Sequence, residues 1–331
     1  MSRVVRFHHP VLIDLMREMN NPIKFSVTVP AYKAQFLKEC IDSILAQTYQ
    51  NFELIIVNDA SPQDLDSIVA QYHDPRIRYY KNKVGFGAEH VVGNWNKCLE
   101  HAIGDYLICM GDDDRLLPNC LEEYIKLIIK YPGLGIYHGW TEVINEDGEV
   151  INLFPPLPER ESIYSAIYCR LSGRAQFIGD CLYDIKLLRE NGGFFDLPFA
   201  WGSDDISSYI AARKYGIAHT QVPVFQYRQN SQSISSSSHN REKMEALYRE
   251  LIWVKKFLNE APITNDRVAL TYRKVCSDHL SIFLIGQAQY SMLLDMKMSG
   301  RFSAMRYWHR HSIKYHISCK MILTDFIKSF A

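Results

Sequence analysis

The stretch Tyr106-Leu-Ile-Cys-Met-Gly-Asp112-Asp113-Asp114-Arg-Leu-Leu-Pro118 runs an apolar strand straight into three consecutive carboxylates and then a helix-starting proline. Two unit charges about 4 Å apart repel by roughly 4 kcal/mol at an effective dielectric suited to a protein surface. Three converging carboxylates therefore need a metal, a basic partner or wide separation in water. A hard divalent cation, Mg²⁺ or Mn²⁺, bound through one or two carboxylates and the phosphates of a substrate, fits such a strand end and makes it a candidate diphosphate site. A solvated acidic loop is the plainer reading of the same residues.

The pattern on either side decides what this strand belongs to. Residues 25–29 read as a buried strand ended by Pro30, and residues 36–47 place Leu37, Cys40, Ile41, Ile44 and Leu45 on one helical face. Residues 54–57 and 77–80 follow as strands, and 65–71, 91–102 and 121–130 as helices, the last stopped by Pro132 and Gly133. Strands alternating with helices predict an α/β fold with a largely parallel sheet and ligands at the carboxyl ends of its strands. Asp59 and the acidic cluster both lie just past such ends.

The second half changes character. Residues 136–143 and 150–153 flank the turn Asn145-Glu-Asp147-Gly148, and a proline-rich loop covers 154–158. Helices are expected over 162–171, 185–190 and 206–215, with strands near 177–183 and 221–226. Residues 229–240 carry six serines and read as a mobile loop. The chain thus divides into an N-terminal extension (1–24, with a short helical piece near 11–19), a main domain (25–240) and a helical C-terminal region (241–331).

At 331 residues and 47% hydrophobic, the chain can bury a substantial core. Its 37 basic and 37 acidic residues cancel, so no global polycation exists for sequence-independent nucleic-acid binding. The eight cysteines form no Cys-x-x-Cys pair, which predicts reduced thiols and a cytoplasmic setting. Neither a signal peptide nor a run of about 18 apolar residues is present in the sequence.

Taken in order, Val29-Pro30-Ala31-Tyr32, Ile41-Asp-Ser43-Ile-Leu45-Ala-Gln47-Thr48, Phe52-Glu-Leu54-Ile-Ile-Val-Asn58-Asp59-Ala-Ser61, Asn96, Gly104-Asp-Tyr106 and the acidic cluster resemble the inverting nucleotide-sugar glycosyltransferases of family 2. The resemblance spans roughly residues 25–230. It implies a GT-A fold, a nucleoside-diphosphate sugar donor, UDP-linked by analogy, and a divalent metal. Asp59 then matches the acid that accepts an N–H from the base, where a turn or helix-capping acid is the plain alternative. Tyr32, beside Pro30, matches the ring that stacks on the base. Asp113 falls on the metal-binding acid and Asp112 on the position reaching the ribose, with Asp114 in support. Gly111 departs from the family's first acid, which leaves open which two of the three acids touch the metal.

Downstream, Gly192-Gly193-Phe-Phe195-Asp-Leu-Pro198-Phe-Ala-Trp201-Gly202-Ser203-Asp204-Asp205 resembles the segment that carries the catalytic base. Asp205 matches the base and Asp204 the acid before it, and both also suit a helix N-terminus. Tyr227-Arg228-Gln229-Asn230-Ser231 resembles the loop that closes on the donor diphosphate, with Asn230 where relatives carry His. The acceptor implied is a glycan or a lipid-linked glycan. The partial glycine motif Gly85-Phe-Gly87-Ala-Glu-His90 lacks its third glycine and reads as no dinucleotide site.

In the tail, seven Lys/Arg stand against Asp295 and Asp325 from residue 294 onward. Phe302, Met305, Trp308, Tyr315, Cys319, Ile322 and Phe326 form a helically spaced stripe, which suits a peripheral membrane helix or a packing or oligomer helix equally. Two rival functions stay open: a catalytically inactive nucleotide- or carbohydrate-binding subunit, and a sugar-phosphate nucleotidyltransferase, which would want a glycine-rich phosphate loop where Pro30-Ala-Tyr-Lys33 stands.

Overall fold

The computed structural model describes residues 22–230 and 239–330. The helical piece expected near residues 11–19 and most of the serine-rich loop, 231–238, lie outside the described residues.

The first half alternates β1 (Phe25–Ala31), α1 (Leu37–Leu45), β2 (Phe52–Asn58), α2 (Leu65–Val69), β3 (Ile77–Lys81), α3 (Val91–His101) and β4 (Tyr106–Cys109). β1 pairs in parallel with β2 and β4, and β2 with β3. The strands are apolar along their whole length because both sheet faces are covered. In β2, Leu54 and Ile56 enter one core with Leu37, Cys40, Ile41 and Ile44 of α1. Ile55 and Val57 enter the other, with Val92, Trp95 and Leu99 of α3.

The second half adds β5 (Arg115–Leu116), α4 (Cys120–Lys130), β6 (Ile136–Ile144), β7 (Val150–Leu153), β8 (Arg160–Glu161), α5 (Ile163–Leu171), β9 (Cys181–Asp184), α6 (Ile185–Glu190), α7 (Ser203–Ala212) and β10 (Ile217–Arg228). The sheet order is β3-β2-β1-β4-β9-β6-β10-β5, with β7 on β6 and β8 on β10. β9 runs antiparallel to both β4 and β6, while β6 and β10 are parallel. The sheet is therefore mixed rather than largely parallel, because the chain enters β9 beside the carboxyl end of β4 and runs back. The reversal leaves β1, β2, β4, β6 and β10 pointing one way, so their carboxyl ends share a single rim.

Helices α8 (Asn240–Asn259), α9 (Arg267–Met298), α10 (Arg301–Arg310) and α11 (Cys319–Lys328) complete the chain. Leu251, Val254, Trp308 and Tyr315 belong to the same core as Ile55, Val57 and Leu107 of the sheet. The stripe expected to form one amphipathic helix is split between α10 and α11 by a turn in which His316 is left-handed, at φ 55. Trp308, Tyr315 and Ile322 face inward, while Phe302, Leu323, Ile327 and Phe330 are exposed. No described helix is long and apolar enough to cross a membrane.

Candidate functional site

At the end of β2, the Asp59 carboxylate accepts the backbone N–H groups of Phe86 (3.0 Å) and Gly87 (3.1 Å) and the Asn82 amide (2.9 Å). Asp59 does not cap the following helix; Asp64 does, accepting from Ser67 N at 3.0 Å. The segment 82–87 thus uses its glycines to approach an acid: a Cβ on Gly85 would stand 2.4 Å from the Asp59 carbonyl oxygen. Tyr32, just beyond Pro30 of β1, is 45% exposed, so its ring is no core residue and stands open at the rim. Ser61 Oγ donates to the Tyr32 carbonyl at 2.5 Å, tying the ends of β1 and β2 together.

The three acids after β4 divide their work. Asp112 Oδ2 accepts the backbone N–H groups of Tyr32 (2.7 Å) and Lys33 (2.6 Å), so this carboxylate stitches β4 to β1. Lys33 Nζ lies between Asp112, at 3.4 Å, and Asp113, to which it donates directly. Asn230 Nδ2 donates to Asp113 Oδ2 at 2.6 Å, and Arg228 N to Asp114 Oδ1 at 2.9 Å. Burial, then the Asp113 charge, pushes the Asp114 carboxyl well above its ordinary value. Burial also raises Asp112, with the Lys33 cation opposing.

Gly111 explains its own departure from the family pattern. A Cβ there would lie 2.8 Å from both Asp113 Oδ1 and Asp114 Oδ2, so the two carboxylates close over this glycine. Hard oxygens from Asp113 and Asp114 fit Mg²⁺ or Mn²⁺, which takes one or two carboxylates and completes its shell with phosphate and water. Among the described residues no set of three or more His, Cys, Asp or Glu side chains could hold a metal unaided.

Arg228 is placed differently from a phosphate ligand. Its guanidinium is fully buried, donating to the Asp113 carbonyl (2.8 Å), the Glu146 carbonyl (2.9 Å) and Glu39 Oε2 (2.7 Å), and it stacks over Phe36. It holds the end of β10 against the acidic turn.

The downstream acids arrive on the first turn of α7. Gly202 precedes it in a left-handed conformation, and Phe199 and Ala200 are non-glycine residues at φ 58 and 55. Ser203 does not cap the helix; its Oγ accepts from Leu197 N at 3.0 Å. Gly193 approaches α3 so closely that a Cβ would stand 2.4 Å from Asn96 Oδ1, the atom that accepts Phe194 N at 2.8 Å. Asp205 is buried, with Arg170 Nε of α5 donating to its Oδ1 at 2.6 Å and Gln176 Nε2 at 3.3 Å. Burial, then the neighbouring Asp205 charge, pushes Asp204 up to about 8, with Arg170 opposing. Burial works most strongly against the Arg170 cation, but the Asp205, Tyr209 and Asp204 charges and the Asp205 hydrogen bond together raise the guanidinium pKa.

One cavity of about 470 Å³ joins these parts: Gly111 and Asp114 line it together with Asp204, Asp205, Arg170 and Tyr227. Asp59, Tyr32, Asp112 and Asp113 do not line this cavity; they sit along the same rim, where Asp112 bonds the Tyr32 amide. Three side chains at the site escape a sequence reading. Lys33 adjoins Tyr32, so its position was visible but not its role. Arg170 and Glu250 come from α5 and α8, distant in sequence, and only packing brings them in.

Residues 26–171 match the profile of glycosyl transferase family 2. EpsE of Bacillus subtilis, which carries a glycosyltransferase name, is 33% identical over 146 residues, 43% of this chain and 51% of EpsE. The chain therefore spans about half the length of that relative. TuaG of the same organism, named for glycosyl transfer in teichuronic acid biosynthesis, is 26% identical over 232 residues, 68% of this chain and 87% of TuaG. The crystal structure of S. aureus TarS 1–349 in complex with UDP-GlcNAc superposes with a TM-score of 0.61 at 15% identity, covering 82% of this chain and 81% of that one. The architecture is the GT-A fold with a helical C-terminal region. The likeness to glycosyl transferase family 2 lies in residues 26–171, a little under half of the chain.

Proposed function

We propose that the protein is an inverting glycosyltransferase that moves a sugar from a nucleoside-diphosphate sugar to a hydroxyl of a glycan or lipid-linked glycan. The observation that carries this reading is the shared cavity, in which acids from β4 and α7, some 90 residues apart in sequence, face one space. The exposed Tyr32 ring offers a stacking face for the base, and Asp59, held by Asn82, Phe86 and Gly87, would exchange one of these donors for a base N–H. TarS was crystallised with UDP and with UDP-GlcNAc, which makes uridine the first nucleotide to test. Asp113 and Asp114 would hold a divalent cation, which when bound neutralises charge on the departing diphosphate. Asp205, oriented by Arg170, takes the proton of the attacking hydroxyl, and attack opposite the leaving group inverts the anomeric centre.

The backbone amides of Tyr32 and Lys33 are already bonded to Asp112, so the end of β1 offers no amide cradle of the kind a nucleotidyltransferase phosphate loop presents. The acceptor we propose is a surface polysaccharide precursor at the cytoplasmic face of the membrane, approached through exposed Phe302, Leu323, Ile327 and Phe330. Vesicle flotation with and without anionic lipid tests that contact, and equal recovery with both would remove it. For the reaction, nucleotide-sugar panels with Mn²⁺ should show metal-dependent thermal stabilisation. Asp205→Asn should bind UDP while losing transfer by about 10²–10⁴-fold; unchanged transfer would remove Asp205 from the base role.

A further inference from the structure

The helical C-terminal region reaches into the cavity. Glu250 of α8 and Phe283 and Gln287 of α9 line it on the side of Asp204 and Asp205. Glu250 is 3% exposed, and no described residue donates a hydrogen bond to its carboxyl. Burying a polar group without a partner costs free energy, so such a carboxyl is expected to meet a hydrogen-bonding group that arrives from outside. The backbone also makes room for it: Gly202, left-handed at φ 82, stands where a Cβ would come within 2.6 Å of Glu250 Oε2.

Resting on the glycosyl-transfer reading, we propose that α8 and α9 form the acceptor subsite, with Glu250 hydrogen-bonding a hydroxyl next to the one that Asp205 deprotonates. Trp201 and Phe283 supply apolar faces to the same cavity, against which the C–H face of a sugar ring packs. The acid-lined wall selects the acceptor class. Arg170, the one Lys or Arg among the described residues of the cavity lining, is already engaged by Asp205, so a uronate or a phosphate would bring a charge that the lining leaves unpaired, and an uncharged sugar is favoured. Glu250 is a positioning residue here, because it orients the acceptor without joining the bond changes.

The experiment uses the full chain, UDP-GlcNAc with Mn²⁺, and methyl glucoside, methyl N-acetylglucosaminide and methyl glucuronide as acceptor probes, reading UDP release above hydrolysis. Wild type should respond to the two uncharged glycosides and not to the glucuronide. Glu250→Leu should raise their KM by about tenfold, the loss of roughly one hydrogen bond, with UDP affinity by calorimetry unchanged. Glu250→Gln, which keeps a hydrogen-bonding head group, should restore most of that KM. If Glu250→Leu does not fold, Gln287→Ala provides the same KM test from α9. An unchanged acceptor KM, or preference for the glucuronide, overturns the inference while leaving the donor reading intact. Wild type that does not bind UDP overturns the donor reading, and the inference with it.

Discussion

Arg170 Nε and Asp205 Oδ1 are 2.6 Å apart inside the cavity, joining the last turn of α5 to the first turn of α7. The pair fixes the carboxylate proposed as the base. Removing one partner of a buried ion pair leaves an uncompensated charge and costs about 3–5 kcal/mol. Arg170→Ala should therefore lower the melting temperature and reduce transfer together, and adding Asp205→Ala should recover part of the stability but none of the activity. A double variant no more stable than Arg170→Ala would show that the pair is not coupled.

The acid pair should also leave a mark on pH dependence. Asp204 titrates near 8 in the folded chain against about 3.9 unfolded, so the folded state holds its proton more tightly. Its contribution to stability is fully present below about 3.9 and is lost as pH rises through 8. Glu250 is shifted in the same direction, by burial first and then by the Asp205 charge. Asp204→Asn should thus gain melting temperature relative to wild type as pH is raised from 5 to 9, measured by scanning calorimetry. Parallel curves would contradict the assignment.

Lys33 competes with any cation for Asp113. Its ammonium sits on Asp113 and near Asp112, and a unit charge within about 4 Å of a divalent cation meets up to roughly 8 kcal/mol of repulsion at an effective dielectric of 20. Lys33→Met should tighten Mn²⁺ binding by at least about tenfold in calorimetric titration. Weaker binding would mean that the lysine instead holds the two acids in their binding posture.

Gly111 resists the substitution its relatives invite. Installing an acid there, Gly111→Asp, places a Cβ 2.8 Å from two carboxylate oxygens and adds a fourth carboxylate beside Asp112, Asp113 and Asp114. The variant should melt lower and lose Mn²⁺-dependent stabilisation by UDP. Unchanged behaviour would show that the turn of residues 111–114 relaxes freely.

The parallel first half of the sheet was legible because its signals are local, while the antiparallel insertion of β9 was not. The buried runs in β1, β2 and β4 and the 3.6 periodicity of α1 and α4 are written in consecutive residues. The two-residue strands β5 and β8 carry too few residues to show a period. Residues 178–180, expected within a strand, form a short 3₁₀ turn that places the start of β9, and α7 begins at Ser203 rather than 206 because a left-handed Gly202 starts it without a side-chain cap. In the tail, the helical stripe was visible but its direction was not: Trp308 turns inward to Asp295 of α9, and Tyr315 to Tyr248 and Glu245 of α8, well back in the sequence. Of the acids read from the motifs, Asp114, Asp204 and Asp205 meet in one cavity, while Lys33, Arg170 and Glu250 gain their contacts only from three-dimensional neighbours.

The most direct measurement is a crystal structure of the full chain with UDP and Mn²⁺. The account predicts uracil against the Tyr32 ring and the Asp59 carboxylate, the diphosphate over Asp113 and Asp114, and the open end of the cavity facing Asp205. A nucleotide bound away from that rim, or a diphosphate remote from Asp113 and Asp114, would contradict it.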